Sequence, residues 1–232
     1  AIQRGVIAVL DIGTSKIACF VLKFENNKSR SSEDPVGSMV GQADFRIIGV
    51  ATTKSRGIKF GDIELIRETE RAIRTSVQAA QKMAGVRVDH VITCFSGGRP
   101  RSYGLAGNIQ TENGMVNDRD IAGVLDSCEI PNYGLAREAL HAQPVNFTLD
   151  DKNGLLDPRG QIGKELLVDM HLLTVDISSI ETMLHCVKRC DLELAGVASS
   201  AYVAAISSLV EDEQEIGAAC VDLGGGSTGV SI

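Results

Sequence analysis

The 232-residue chain contains no tryptophan, and its aromatic fraction is only 4%. Proteins that bind single-stranded nucleic acid stack the bases on aromatic side chains, so no such platform is expected here. Runs of basic residues are also missing, and the formal net charge is −7. Because binding to a phosphate backbone needs clustered lysine and arginine, nucleic acid is not expected as a partner.

Long apolar runs are missing as well. The longest apolar-leaning stretch, at 194–206, contains Ser199 and Ser200. It is shorter than the ~20 residues that a membrane-spanning helix needs. The short apolar run at the start of the chain carries Asp11 and does not look like a secretory leader. The sequence as given therefore predicts a cytosolic protein.

The chain has six cysteines, an even number that a small secreted protein would use for disulfides. Each one lies in an apolar or helical stretch of a chain too large to need such cross-links, so free thiols in a reducing compartment are predicted. His185, Cys186 and Cys190 are close enough in sequence to suggest a metal site. Their segment is typical of a helix and no second ligand pair lies near it, so structural zinc is not predicted there.

Short β-branched runs alternate with amphipathic segments along the chain. Val6–Leu10 and Ile17–Phe24 predict a hairpin, and Phe45–Thr52 predicts a third strand. Asp62 is predicted to cap a long helix that ends at Gly85.

The rest of the chain predicts further elements of both kinds. Strands are predicted at 91–95, 102–111, 145–149, 166–175 and 218–223. Helices are predicted after a cap at Asn117 or Asp118, after a capping box of Ser178 with Glu181, and within 194–209. Polar loops are predicted at 25–44 and 150–163, and an acidic turn at 211–215. This order predicts an α/β protein with a mixed sheet, to which the strand at 166–175 returns after an inserted subdomain.

Two segments near opposite ends of the chain share one pattern, in which an apolar strand ends in aspartate and runs into a glycine-containing turn with hydroxyl side chains. They are DIGTSK at 11–16 and DLGGGST at 222–228. Glycine lets backbone N–H groups approach a phosphate, and an aspartate beside phosphates can hold Mg²⁺ through its waters. Two such hairpins facing each other would grip a triphosphate from both sides. Neither segment has the spacing of a Rossmann or P-loop motif.

These two hairpins resemble the phosphate 1 and phosphate 2 motifs of the actin, heat-shock chaperone and sugar-kinase superfamily. Within it, the chain resembles the FtsA family of bacterial cell-division proteins along essentially its whole length, through stretches such as SRGIKFGDI, HVITCFSGG and LAGVASSAY. The resemblance implies an α/β fold of the actin-like (ribonuclease-H-like) type. Subdomain 1A would comprise 1–86 plus 166–213, an inserted α+β subdomain 1C would comprise 87–165, and 214–232 would be the truncated start of subdomain 2A.

The resemblance also implies ATP and Mg²⁺ as cofactors. The implied phosphate 1 residues are Asp11, Gly13, Thr14, Ser15 and Lys16, and the implied phosphate 2 residues are Asp222, Gly224, Gly225, Gly226, Ser227 and Thr228. Asp11 and Asp222 would hold Mg²⁺ through water, while Lys16 either reaches a phosphate or is solvated. Related bacterial actins carry a glutamate that orients the attacking water 22 residues before the phosphate 2 aspartate, and Ser200 occupies that position here. Because a lone hydroxyl is no base at neutral pH, slow or absent hydrolysis is expected.

In FtsA proteins the whole molecule links the FtsZ ring to the inner membrane, polymerises into filaments and recruits later division proteins through 1C. The resemblance therefore implies a place at the cytoplasmic face of the inner membrane at the division site. The family continues beyond Ile232 with the rest of 2A, subdomain 2B and a C-terminal membrane helix. Those regions carry the FtsZ and membrane contacts and most adenosine contacts, so weak ATP binding by this chain is expected. Four residues of the 1C region either contact partners or face solvent: Arg99, Arg101, Arg119 and Asp120.

Two other interpretations stay open. One is a sugar or acid kinase of the same superfamily, which would need a catalytic aspartate on the substrate side of an open cleft. The other is the related actin-like protein of pilus assembly, which shares the placement of 1C and lacks the terminal amphipathic helix.

Overall fold

The computed structural model describes residues 5–24, 45–112 and 114–232, so the predicted loop at 25–44 lies outside the described residues. The strands are β1 (Val6–Ile12), β2 (Lys16–Phe24), β3 (Phe45–Lys54), β4 (Ile58–Lys59), β5 (Asp62–Ile63), β6 (His90–Phe95), β7 (Arg101–Gln110), β8 (Arg137–Leu149), β9 (Lys152–Leu155), β10 (Glu165–Asp176), β11 (Glu193–Ser199), β12 (Cys220–Leu223) and β13 (Thr228–Ser231). The helices are α1 (Ile66–Ala84), α2 (Asp118–Asp126), α3 (Ile177–Arg189), α4 (Ser200–Ser208) and α5 (Glu211–Ile216).

The described residues fall into two compact units. The first unit contains the chain up to Gly98 and again from Ile177, and the second unit is Arg99–Asp176. The second unit starts and ends later in the chain than the insertion predicted at 87–165. The reason is that β6 pairs with β1 in the first unit, while β10 pairs with β7 and β8 in the second. The predicted α/β class is confirmed.

The first unit is built on a five-stranded mixed sheet in the order β11-β6-β1-β2-β3. Strands β1, β2 and β3 are antiparallel, while β6 and β11 run parallel to β1. Helix α1 covers one face, and its Ser76 hydroxyl donates to the carbonyl oxygens of Ile17 (3.3 Å) and Ala51 (3.1 Å). The fully buried side chains of this core include Ala8, Leu10, Ile17, Cys19, Val21, Ile73, Ala80, Val91, Met183, Cys186 and Val187.

Helix α1 begins at Ile66, with Leu65 as its N-cap, so the predicted cap at Asp62 is wrong. Asp62 lies in β5, and its carboxylate Oδ1 accepts a hydrogen bond from the amide of Gly98 at 2.8 Å. The carboxylate therefore satisfies a backbone donor of another loop instead of the helix terminus. The predicted end at Gly85 is confirmed, since this residue has the left-handed conformation of a C-cap with φ 67°.

The second unit is a four-stranded antiparallel sheet in the order β7-β10-β8-β9, with α2 packed on it. Asn117, one of the two predicted caps, caps α2, and it also forms a capping box with Asp120 that was not predicted. The predicted return of the strand at 166–175 to the first sheet is wrong, because β10 lies between β7 and β8. The buried core residues of this unit are Val116, Val124, Phe147, Leu149, Leu166 and Val168.

A buried arginine ties together the two ends of the second unit. The Arg137 side chain is 6% exposed, and its Nη1 donates to Oδ1 of Asp176 at 2.6 Å. Its Nη2 donates to the carbonyl oxygens of Arg99 (2.8 Å) and Thr174 (2.7 Å). Arg99 in turn donates through Nε to Oδ2 of Asp176 at 2.7 Å. Arg99 therefore pairs with the last residue of its own unit. A buried charge such as that of Arg137 is retained when its donors are satisfied.

Three smaller predictions are corrected along the chain. Helix α3 begins at Ile177, so Ser178 lies inside its first turn and not at its cap. The predicted acidic turn at 211–215 is the short helix α5, and the predicted loop at 150–163 contains strand β9. All six cysteines are free, as predicted, and burial raises the pKa of Cys19, Cys186 and Cys190 to about 11. No helix in the described ranges is long and apolar enough to cross a membrane.

The approach of α1 to β3 depends on a missing side chain. A Cβ atom at Gly49 would lie 2.3 Å from the carbonyl oxygen of Ala80. We expect Gly49→Ala to lower the free energy of unfolding by about 1–3 kcal/mol, because the helix must move away from the sheet. Urea unfolding followed by circular dichroism measures the change.

The control is Gly104→Ala in β7, where an added Cβ meets nothing within 4 Å. This variant makes the same change in the conformational entropy of the unfolded chain and should be neutral or slightly stabilising. Equal destabilisation by both variants would contradict the close packing of α1 on β3.

Candidate nucleotide-binding turns

The first turn connects β1 to β2. Asp11 is the next-to-last residue of β1, and the last register pair before the turn is Ile12 with Ile17. The amide of Gly13 donates to the carbonyl oxygen of Lys16 at 3.1 Å and closes the turn. Thr14 and Ser15 form its tip.

The second turn, between β12 and β13, repeats this arrangement. Asp222 is the next-to-last residue of β12, and the last register pair is Leu223 with Thr228. The amide of Gly224 donates to the carbonyl oxygen of Ser227 at 3.0 Å. Each turn therefore has the same closing hydrogen bond at the same distance in sequence from its aspartate, and Gly225 and Gly226 occupy the positions of Thr14 and Ser15.

The tips of the two turns are in contact within the first unit. A Cβ atom at Gly225 would lie 2.7 Å from Cβ of Ser15, and one at Gly226 would lie 2.7 Å from Cγ2 of Thr14. Separations this short do not occur between carbon atoms that are not bonded, so only glycine fits at both positions. The structure thus brings together the predicted residues of phosphate 1 and phosphate 2.

Backbone donors are available at both tips. In the part of the chain that the structure describes, the amides of Thr14, Ser15, Gly225 and Gly226 have no backbone acceptor. Thr14 and Ser15 add hydroxyl groups beside them. Successive amides that lack an acceptor and lie in a tight turn make a concave site for an anion.

The charges around Asp11 act on its carboxyl group. Burial raises the pKa of Asp11 above its usual range, the positive charge of Lys16 opposes this, and the negative charge of Asp222 raises the pKa further. Cys94 lies opposite Asp11 on β6, and burial together with the Asp11 charge raises the pKa of its thiol. The site therefore combines two carboxylates, one nearby lysine and a protonated thiol.

Sequence reasoning missed a loop that holds the first turn. The amide of Gly61 donates to Oγ1 of Thr14 at 3.0 Å, and the amide of Ser55 donates to the carbonyl oxygen of Ser15 at 3.1 Å. The Ser55 hydroxyl is buried and has no hydrogen-bond partner among the described residues. The segment SRGIKFGDI at 55–63 contains both contacts, and its glycine spacing was the available signal.

Comparisons with known proteins agree with this architecture. Residues 97–174 match the model of the SHS2 domain inserted in FtsA. The cell division protein FtsA of Rhizobium meliloti (strain 1021) is 33% identical over 231 residues, which cover 99% of this chain and 51% of that protein. The chain is similar to this FtsA over nearly its whole length.

Other FtsA proteins align over the same extent. The FtsA of Pseudomonas aeruginosa is 30% identical over 233 residues, covering 100% of this chain and 52% of that protein. The FtsA of Escherichia coli (strain K12) is 24% identical over 232 residues, with the same two coverages. The chain thus spans about half the length of the curated relatives it matches.

The fold also has a solved counterpart. The structure described as a PilM-PilN type IV pilus biogenesis complex superposes with a TM-score of 0.53 at 12% identity, covering 94% of this chain and 54% of that chain. At this identity the likeness concerns the fold alone. The FtsA-type domain coincides with the second unit, and the fold is that of an actin-like α/β protein with an inserted α+β subdomain.

Ser200, where the resemblance predicts that a water-orienting glutamate is replaced, is the first residue of α4. Its neighbour Ser199 is buried at the end of β11. No group of three or more His, Cys, Asp or Glu side chains in the described ranges could ligate a metal directly. The triphosphate of a nucleotide fits the donor set of the two turns, because they offer backbone amides and hydroxyl groups. Mg²⁺ held through water also fits, since the aspartates need not contact the ion.

The raised pKa of Asp11 predicts a stability change of known sign. The folded state binds the Asp11 proton more tightly than the unfolded state. The favourable contribution of protonated Asp11 to the stability of the fold is therefore fully present below the unfolded pKa and is lost as pH rises through the folded pKa. We expect Asp11→Asn to raise the melting temperature at neutral pH without Mg²⁺, and the gain to shrink as pH falls through the folded pKa. Thermal unfolding over a pH series measures it.

The control is Glu129→Gln between α2 and β8, where the side chain is exposed and lies outside any helix. This variant should not change the melting temperature in a pH-dependent way. A pH-independent gain in Asp11→Asn, or a loss at neutral pH, would contradict the electrostatic account.

Proposed function

We propose that this chain binds MgATP as part of an actin-like cell-division protein. The observation that supports this is the contact between two equivalent turns, each following an aspartate and each closed by the same hydrogen bond. An anion lying across both tips would meet amides from each. Contacts from two sides are what a polyphosphate needs for strong, oriented binding.

Each group of residues would have the role that suits its chemistry. The amides of Thr14, Ser15, Gly225 and Gly226, with nearby hydroxyls, would bind phosphate oxygens. Asp11 and Asp222 would hold Mg²⁺ through its waters, and the ion would offset charge on those oxygens. Residues Gly13, Gly224, Ser227 and Thr228 shape the two turns.

Hydrolysis is a secondary feature of this proposal. Ser200 offers no carboxylate at the position where related actins orient the attacking water, so the ATPase would be slow or absent. ATP would then act mainly by holding the two turns and the elements behind them together. Binding to the native state stabilises it in proportion to ligand concentration over the dissociation constant.

The cellular role is proposed from the relatives, which are named cell division protein FtsA. We assign this chain to a scaffold that links the FtsZ ring to the inner membrane, at the cytoplasmic face of the division site. The contacts with FtsZ and with the membrane surface belong to regions outside this chain. The first unit would supply 1A and the start of 2A, while the second, as 1C, would recruit later division proteins and contribute to filaments.

We expect Asp222→Ala to weaken binding of MgATP by tenfold or more, an effect of about 1.5–3 kcal/mol for a charged partner. Because most adenosine contacts are expected outside this chain, the wild type is expected to bind weakly, with a dissociation constant in the range of about 1 mM. Thermal shift over an ATP series measures both proteins. The control is Asp212→Ala, an exposed acid on α5, which should bind as the wild type does.

A cellular readout follows from the same two variants. In a bacterium that depends on this gene, depletion should give long cells without septa, and the complete gene carrying Asp212→Ala should restore division. The gene carrying Asp222→Ala should fail to restore it. Normal septation on depletion would contradict the division role, and transfer of phosphate from ATP to a sugar would favour a kinase.

A further inference from the structure

A second lysine faces Lys16 at the first turn. Strands β2 and β3 are antiparallel, and their register pairs Lys16 directly with Lys54. Directly opposite residues of an antiparallel pair project from the same face of the sheet. Asp11 pairs with Ala18, two residues beyond Lys16, so Asp11, Lys16 and Lys54 share one face.

Lys54 is held beside the turn by its neighbour. The amide of Ser55, the next residue, donates to the carbonyl oxygen of Ser15. The loop that follows is fixed again where Gly61 donates to Thr14. The backbone of Lys54 therefore has the tip of the first turn as an immediate neighbour.

The two lysines have no counter-charge in salt-bridge contact. Within the described ranges, neither Lys16 nor Lys54 lies within 4.0 Å of a carboxylate, and both side chains are exposed. Like charges directly opposite each other destabilise a sheet. The repulsion between the two ammonium groups is smallest when an anion lies between them. The free amides of the neighbouring turn also favour an anion at this place.

Charge balance at the site points the same way. The two turns bring Asp11 and Asp222 to the place where a polyphosphate would bind, and a Mg²⁺-bound triphosphate still carries net negative charge. One lysine leaves this group of charges negative. Two lysines offset both carboxylates, so that the anion is attracted and not repelled.

We propose that Lys54 is a second phosphate-binding lysine, which pairs with Lys16 to hold the polyphosphate of a nucleotide. This inference rests on the proposed MgATP binding. The recognised group is the polyphosphate itself, so free tripolyphosphate should bind at the same place. Lys54 acts as a point charge, which suits an anion with several equivalent oxygens.

The test compares Lys54→Ala, Lys54→Arg, Lys16→Ala and the control Lys152→Ala, an exposed lysine on β9. Dissociation constants are measured by calorimetry for MgATP, Mg-tripolyphosphate and adenosine, each at several salt concentrations. Tripolyphosphate needs no adenosine contacts and therefore reports on this chain's own residues. We expect Lys54→Ala to weaken binding of both phosphate ligands about tenfold and to reduce the salt dependence of binding.

Further outcomes separate a phosphate contact from a structural role. Lys54→Arg should keep most of the affinity, adenosine binding should not change, and the melting temperature of ligand-free Lys54→Ala should stay at or above that of the wild type. Loss of ATP binding with tripolyphosphate binding intact would overturn the polyphosphate contact. If Lys54→Ala binds both phosphate ligands within twofold of the wild type while Lys16→Ala binds them weakly, the role of Lys54 is overturned and MgATP binding still stands. No binding of either phosphate ligand by the wild type would overturn both proposals.

Discussion

Two glycine-rich turns that touch tip to tip are the constraint on which the candidate site depends. Gly225 and Gly226 meet Ser15 and Thr14 at distances that leave no room for a side chain. Because each turn is closed by its own hydrogen bond, the contact joins two rigid pieces and not two loose loops. The contact also fixes where the carboxylates of Asp11 and Asp222 lie, since each aspartate precedes its turn by the same number of residues.

The first turn is also supported from its other side. The loop between β3 and α1 donates amides to Thr14 and Ser15, and its Asp62 accepts from Gly98, which lies beyond the end of β6. A ligand that moved the tip of the first turn would therefore change hydrogen bonds in this loop as well. The glycine spacing of the segment at 55–63 marks this loop in the sequence, but only the folded chain shows which turn it contacts.

Local patterns predicted much of the fold, and long-range partners explain what they missed. The hairpin of β1 and β2 and the cap at Asn117 were predictable because each depends on residues a few positions apart. The cap at Asp62 failed because its carboxylate binds an amide 36 residues away. The strand β10 was predicted from its apolar pattern, but pattern alone does not say which sheet a strand joins.

The candidate site shows the same division. The two aspartate–glycine motifs could be found in the sequence because each is a local turn signal with its own chemistry. Their contact, and the pairing of Lys54 with Lys16, arise only when β2, β3 and β12 are assembled. Lys54 has no motif of its own, so only the strand register brings it to the turn.

The most direct test of this account is a titration of the ¹⁵N-labelled chain with Mg-tripolyphosphate, followed by the backbone amide resonances. The account predicts that the resonances of Thr14, Ser15, Gly225 and Gly226 shift together and fit one dissociation constant. Shifts confined to one turn, two different constants, or shifts only in the second unit would contradict a single phosphate site made by both turns.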